Sequence, residues 1–562
     1  MSSTRALALA TALLLGATTA SAQVTTLILE GDNIPGVGNV KKIQNVAVGD
    51  SGDWLVQVKT DNSDTSKDLA VVKNGTLFMQ EGQSMSAPSG ATLQAFGEYS
   101  INSAGDTVST VEINDSGTKD AIYWNDKLLL LEDDVAQAPG FSAGTKYTAI
   151  YSAKVNDNDQ VAAIVQIDDP NLSASVKQAI VMFDTDGNGN ITGETILVKV
   201  TDTAGAGQLP IAFFSLFGKN WSFTNNGSYT FKANISAGNS GADEVVNVVG
   251  TTVAEEASPS PVAGRAWGNL SSSPSSTNDI GDYVLQAALS GGSADDAVIV
   301  KNGVLFMQEG MALAAMGNNG LKSFGTGPIE ISSAGFVQWY GQSDDPNIQL
   351  SEGLWSETDL IVQGGVTMAS GQIIAKLVGD DKGYDFTPNG QLLLFEGELQ
   401  DGTEGAFSIG IAGGEPGGSM CFGDGSGGTC PCGNNGGTGQ GCGNSTGAGG
   451  ALTASGSSSL AMNNFSFAVS GLPAGKTALL VSSGASSNTV WGDGLLCVGN
   501  NWTPHSVAFA NGLGNATWGT AQITNQTWGP GSDSYFQVLY RDPSGSCGTF
   551  NGSSAYHVTW TP

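Results

Sequence analysis

Val72-Lys73-Asn74-Gly75-Thr76-Leu77-Phe78-Met79-Gln80-Glu81-Gly82 returns, almost unchanged, as Val300-Lys301-Asn302-Gly303-Val304-Leu305-Phe306-Met307-Gln308-Glu309-Gly310. Each copy reads as two short apolar strands joined by Asn-Gly, the pair that best tolerates positive φ in a two-residue hairpin. Upstream of each copy stands another strand pair, joined by a tight turn. Seven such turns recur: Gly49-Asp50-Ser51-Gly52, Asn102-Ser103-Ala104-Gly105, Asn156-Asp157-Asn158-Asp159, Thr224-Asn225-Asn226-Gly227, Asn278-Asp279-Ile280-Gly281, Ser332-Ser333-Ala334-Gly335 and Thr387-Pro388-Asn389-Gly390. Their fourth positions lie at 52, 105, 159, 227, 281, 335 and 390, so the steps are 53, 54, 68, 54, 54 and 55. A fixed period of this length marks a repeat architecture.

Four short strands per unit, rich in β-branched and aromatic residues, give an all-β reading. Units of this size fit the blades of a β-propeller, and seven units predict seven blades. The alternative is an open β-solenoid. The chain ends argue for closure. The seventh unit lacks a fourth strand after the one expected near Phe407 to Ile411. Thr26-Leu27-Ile28-Leu29-Glu30-Gly31-Asp32, before the first unit, matches Thr76 to Gly82. The expectation is that Thr26 to Glu30 completes the last blade and covers an otherwise open edge.

The first 22 residues read as a secretory leader: Arg5, an apolar run from Ala6 to Gly16, and Ala20-Ser21-Ala22 at a cleavage site. The predicted organisation is therefore a leader over 1–22, a propeller over 23–413, a glycine-rich linker over 414–420, and a small β-sandwich over 421–562. The expected location is secreted or cell surface, with no transmembrane segment and a monomeric chain. A formal net charge of −31 argues against nucleic acid and anionic membranes as partners.

All six cysteines (Cys421, Cys430, Cys432, Cys442, Cys497 and Cys547) fall in the C-terminal part. In an exported chain an even, clustered set reads as disulfides. The predicted pairs are Cys432 with Cys442, Cys497 with Cys547 and Cys421 with Cys430. A zinc site built on Cys430-Pro431-Cys432 is the competing reading, weakened by its spacing.

The turns resemble those of a family of bacterial exported proteins with tandem N-x-x-G-x-x-x-F repeats, over about residues 26–413. The match is degenerate, since Asp159 replaces Gly and other residues replace Asn in several turns. That resemblance implies a propeller-like fold and no established activity. Residues 421–562, with Cys421-Phe422-Gly423-Asp424-Gly425, Cys430-Pro431-Cys432-Gly433, Gly441-Cys442-Gly443-Asn444-Ser445 and Val558-Thr559-Trp560, resemble a cysteine-containing module at the C-termini of large exported proteins of environmental bacteria. This second resemblance implies display or export.

The best ligand signal is Asp184-Thr185-Asp186-Gly187-Asn188-Gly189-Asn190. Asp184, Asp186 and Asn188 alternate as in the first half of a calcium loop, with the Asn190 carbonyl as a fourth ligand. Glu194 falls one place before the usual bidentate position. Calcium and an acidic hairpin insert are the two readings.

The only histidines are His505 and His557, and the only arginines after Arg5 are Arg265 and Arg541. The repeat region thus lacks histidine for a nucleophilic triad or a zinc centre. Trp491, Trp502, Trp518, Trp528 and Trp560 are candidates for stacking on sugars or, more simply, for the core of a sandwich. The favoured function is an exported, non-enzymatic binding or surface protein with a protein or glycan ligand. The alternatives are a carboxylate-dependent polysaccharide hydrolase or lyase, and a structural component of the cell envelope.

Overall fold

The computed structural model describes the chain except residues 1–23, 216, 217, 219, 271, 272, 292–294, 412–417, 426, 427, 438, 456, 457, 459, 461–464, 500, 513, 520, 521, 524–527, 530, 531, 546, 547, 561 and 562. The expected leader and Cys547 therefore lie outside the described residues. The protein is all-β. Short 3-10 segments occur at Ala314–Met316 and Ile348–Leu350, and among the described residues no helix is long and apolar enough to cross a membrane.

From Thr25 to Gly410 the strands form seven antiparallel sheets of four to six strands. Successive sheets touch one another, and the first touches the last through Gly38–Val48 against Tyr384–Phe386, Leu392–Leu399 and Glu404–Gly410. The seventh sheet takes one strand from the other end of the chain. Thr25–Leu29 pairs antiparallel with Glu404–Gly410, with Thr26 opposite Phe407 and Leu29 opposite Gly405. Ile28 is buried there among Leu394, Ala406, Val46 and Val56, so the exchanged strand is also part of the core between the first and last sheets.

The periodic turns have a physical reason. Six of the seven fourth positions are Gly with φ between 75° and 89°, a region where a side chain is strained; Asp159 takes φ 58° in the third turn. The first residue caps the turn. Asn102 Oδ1 accepts the N–H groups of Ala104 and Asp106, Asn278 Oδ1 those of Ile280 and Asp282, and Thr387 Oγ1 those of Gln391 and Leu392. Asx and Ser/Thr turns of this kind explain why Asn, Thr and Ser interchange there.

The turns also bond to one another around the cycle. Ser103 N–H donates to Asp157 Oδ1 (2.7 Å), Asp157 N–H to Asn225 Oδ1 (2.8 Å) and Asn226 N–H to Asp279 Oδ1 (2.8 Å). Asn278 Nδ2 donates to the Ser332 carbonyl, Ser333 N–H to the Pro388 carbonyl, and Asn389 N–H to Asp50 Oδ1 (2.9 Å). The period is thus a chain of inter-unit hydrogen bonds that runs from the second unit through the seventh to the first.

After residue 417 the fold changes. A five-stranded sheet and a three-stranded sheet share a core that includes Phe467, Phe536, Tyr556, Trp518 and Trp560, and a separate hairpin runs from Ser486–Trp491 to Gly494–Val498. Part of the expected linker is ordered structure: Gly418–Met420 is a strand paired with Phe550–Thr559. The disulfide pairing differs from expectation. Cys421 bonds Cys497 and Cys430 bonds Cys442, so neither Cys421–Cys430 nor Cys432–Cys442 forms. Cys497, already bonded to Cys421, is not joined to Cys547. Cys432 is disulfide-bonded too. The reason is spatial. Met420 lies opposite Ala555, which brings Cys421 beside the hairpin that carries Cys497.

Trp518 and Trp560 are buried, and Trp528 stacks on Trp560 at 4.1 Å, so these rings build the core. Trp491 is half-buried and tilted on Phe550, while Trp502 is 36% exposed.

Candidate functional site

The expected calcium residues fall in two places. Asp184 ends the strand Gln178–Thr185, and its Oδ1 accepts Gln160 Nε2 across the sheet (2.8 Å). Asp186, Asn188 and Asn190 lie in the turn that follows. Asp186 accepts the N–H groups of Asn188 and Asn190 and the Asn190 side-chain amide (2.6 Å), which hold its carboxyl down at about 2. The Lys127 ammonium, from the preceding sheet, donates to the Asn188 carbonyl (3.1 Å) and to Asn190 Oδ1. Glu194 points elsewhere: it accepts from the N–H groups of Gln137 and Ala138 and from the Tyr147 hydroxyl (2.7 Å). No group of three or more His, Cys, Asp or Glu side chains among the described residues is arranged to hold a metal ion.

The two histidines are on strands. His505 is buried against Ser482 Oγ (2.9 Å), and His557 meets Asp533 Oδ1 (2.9 Å).

A cavity lies where the turns converge, lined by Asp50, Ser103, Asp157, Asn225, Asp279, Ser333 and Pro388 with Tyr99, Lys154, Trp221 and Glu330 around it. Its free volume is about 160 Å³. Lys154 Nζ lies 5.9 Å from the Trp221 ring centre. Burial, together with Asp157 and Asp279, pushes the Asp50 carboxyl up to about 7 although Asn389 N–H bonds to it.

The larger cavity, about 470 Å³, is a groove at the seam between the first and last sheets. Residues far apart in the chain line it: Lys42, Gln44 and Gln57 from the first sheet; Lys376, Glu396, Glu398 and Glu404 from the last; Asp380 and Lys382 from a connection. Strand register explains the cluster. Glu396 and Glu398 are two apart on one strand and so share a face. Glu404 stands opposite Glu398 on one side and Lys376 opposite it on the other. Like charges directly opposed across a sheet destabilise it, so this arrangement has a local cost.

Glu396 is 7% exposed, and among the described residues no hydrogen bond or ion pair engages its carboxyl. Burial, then Glu404 and Asp380, push it up to about 8, against the pull of Lys42 and Lys376. Glu404 Oε2 is buried without a hydrogen-bond partner. Glu396, its pKa raised by burial, thus lies on the strand next to that of Glu404, in a groove that also holds lysines. Sequence reading missed this site. The signal was present in Leu392-Leu393-Leu394-Phe395-Glu396-Gly397-Glu398-Leu399, where two acids interrupt a strand otherwise apolar enough to be buried.

No protein-family model matches the chain, and no curated protein matches it. Among solved structures, a Trypanosoma rangeli sialidase bound to the inhibitor DANA matches with a TM-score of 0.27 at 10% identity, covering 86% of this chain and 93% of that one. The WD40 β-propeller domain of Doa1 matches with a TM-score of 0.27 at 10% identity, covering 68% of this chain and 96% of that one. The polysaccharide lyase Uly1 matches with a TM-score of 0.25 at 10% identity, covering 67% and 77%. Likeness of this degree carries no inference about this chain's chemistry.

Proposed function

We propose that this chain is an exported binding protein without enzymatic activity. Its scaffold is a seven-bladed β-propeller closed by its N-terminal strand, and its C-terminal β-sandwich serves display. The closed cycle of seven sheets supports the scaffold. The buried disulfides support an oxidising location. The observation that carries the binding reading is the groove at the closure seam: a Glu404 oxygen is buried there without a protein partner among the described residues, a state that a ligand relieves. The test is a binding screen of the mature protein against glycans and small polar solutes, with Glu396→Gln as control. Binding that ignores this change sinks the assignment of the groove.

One observation favours a second reading, a carboxylate-dependent polysaccharide hydrolase or lyase. Burial raises Glu396 to about 8 beside a second carboxyl, Glu404, and a raised acid next to another carboxyl is a feature of acid–base pairs. Release of reducing ends or unsaturated sugars, abolished by Glu396→Gln, replaces the binding reading with this one.

A further inference from the structure

We propose that the groove at the closure seam recognises a primary ammonium group, seated between Glu396 and Glu404. This deepens the binding reading above and rests on it.

The argument begins with what the groove leaves unpaired. Glu396 is more than nine-tenths buried, lines the cavity and has no side-chain partner. One oxygen of Glu404 is buried and unpartnered. Buried polar groups in folded proteins are nearly always bonded, so the buried, unpartnered Glu404 oxygen, beside a Glu396 carboxyl that opens on the same cavity without a partner among the described residues, points to a missing donor. The protein's own cations do not supply it. Lys42, Lys376 and Lys382 all line the groove, yet none makes an ion pair with Glu396, Glu398 or Glu404. A metal is a poor fit, because no cluster of three ligating side chains forms among the described residues. A tetrahedral ammonium has three N–H donors and needs only two or three oxygens.

The groups facing Glu396 set the pH behaviour. Glu404 and Asp380 raise its pKa, while Lys42 and Lys376 lower it. Glu398 and Lys382 line the same groove, and the remaining wall is uncharged Gln44, Gln57, Ile43 and Val378. An entering ammonium takes the place of the Glu396 proton. The Glu396 O–H bond breaks, its electron pair stays on the carboxylate, and one proton passes to solvent for each ammonium bound. Affinity therefore rises about tenfold per pH unit below the Glu396 pKa and levels off above it.

The probe is glucamine (1-amino-1-deoxyglucitol), with glucitol as its uncharged counterpart. Titration calorimetry is run at roughly 0.15 M salt, to screen the acidic surface. Paired buffers of different ionisation enthalpy count the protons released. The expected result is glucamine binding at least tenfold tighter than glucitol, with one proton released below pH 8. Glu396→Gln should remove both the preference and the proton. Lys42→Ala, which removes a competing cation, should strengthen glucamine binding and so reads in the opposite direction. Equal binding of glucamine and glucitol overturns the ammonium assignment and leaves the binding reading in place. Absence of binding by either solute overturns both. Glucamine binding that is indifferent to pH and to Glu396→Gln overturns the site.

Discussion

The region from Thr25 to Gly410 contains no cysteine, whereas the region after Gly418 carries all six. Both bring distant segments of chain together, by different means. The repeat region is joined end to end by one backbone ladder and a chain of turn-to-turn hydrogen bonds. The C-terminal region ties its glycine-rich start to the hairpin Ser486–Val498 through Cys421–Cys497. Buried amides add to this tie: Gln537 Nε2 reaches the Leu495 and Ser553 carbonyls, and Asn551 Nδ2 those of Cys442 and Gly443. The contrast follows from core size. Seven sheets each find two apolar neighbours, and their strands read as nearly continuous hydrophobic runs. A segment such as Cys421–Gly450, in which 13 of 30 residues are Gly, has few side chains to bury and needs covalent cross-links instead.

The sharpest way to break this comparison is to remove the exchanged strand. Deleting residues 24–30 exposes an edge and takes Val24 and Ile28 out of the core. At about 1.5–3 kcal/mol for each buried side chain, the loss is about 5 kcal/mol. Calorimetry should show the repeat transition falling while the C-terminal one stays; an unmoved repeat transition shows that closure adds nothing. The converse experiment removes cross-links. Replacing Cys421 and Cys497 by Ala should cost about 4–5 kcal/mol, and replacing Cys430 and Cys442 about 3 kcal/mol, because the first pair spans 76 residues and the second 12. Only the C-terminal transition should move.

The third test concerns pH. The folded value of Glu396, about 8, lies above its ordinary 4.5, so the folded chain holds a proton that the unfolded chain releases. Stability is then full below about pH 4.5 and declines as pH rises towards 8, by about 5 kcal/mol for this group. Asp50, raised to about 7, acts in the same direction. Glu396→Gln should flatten the repeat transition's pH dependence and leave the C-terminal one as it was. An unchanged profile in the variant refutes the buried proton.

A smaller effect is expected in the turns. Asn278→Ala removes the one oxygen that accepts both cap hydrogen bonds and the amide that reaches the Ser332 carbonyl, at a cost of about 1–2 kcal/mol in urea unfolding. Asp159→Gly, which gives the third turn the residue of the other six, should cost nothing. The smallest effect is at the Asp184 loop, where calcium binding stays a proposal. Lys127 occupies the loop's carbonyl and amide oxygens, so calcium should raise the melting temperature of Lys127→Ala more than that of the native chain. Equal shifts remove the loop from consideration.

The repeat was legible in the sequence because its cause is local. A Gly at positive φ and an Asn, Ser or Thr cap leave their mark at fixed spacing. The partner of Thr25–Leu29 was legible by counting, since one unit lacked a strand that the other end supplied. The groove was not. Lys42 and Glu396 are brought together only by closure, and no local pattern records a contact over that separation. The cysteine pairing was equally hidden. Proximity along the chain suggested Cys432 with Cys442, whereas strand pairing of Gly418–Met420 with Phe550–Thr559 decided where Cys421 would lie.

The exchanged strand also sets the order of assembly. Thr25–Leu29 is synthesised early, but its partner Glu404–Gly410 arrives some 380 residues later. At about 5–20 residues per second, the early strand waits for roughly 20–75 seconds. Throughout that interval its apolar edge is open to any complementary sheet. Once Glu404–Gly410 is made, the strand of a neighbouring molecule competes for it on equal chemical terms. Dilution favours the chain's own strand, and crowding favours the neighbour's. Refolding at high concentration should therefore yield dimers and longer chains of molecules linked by swapped strands, each keeping its full set of sheets.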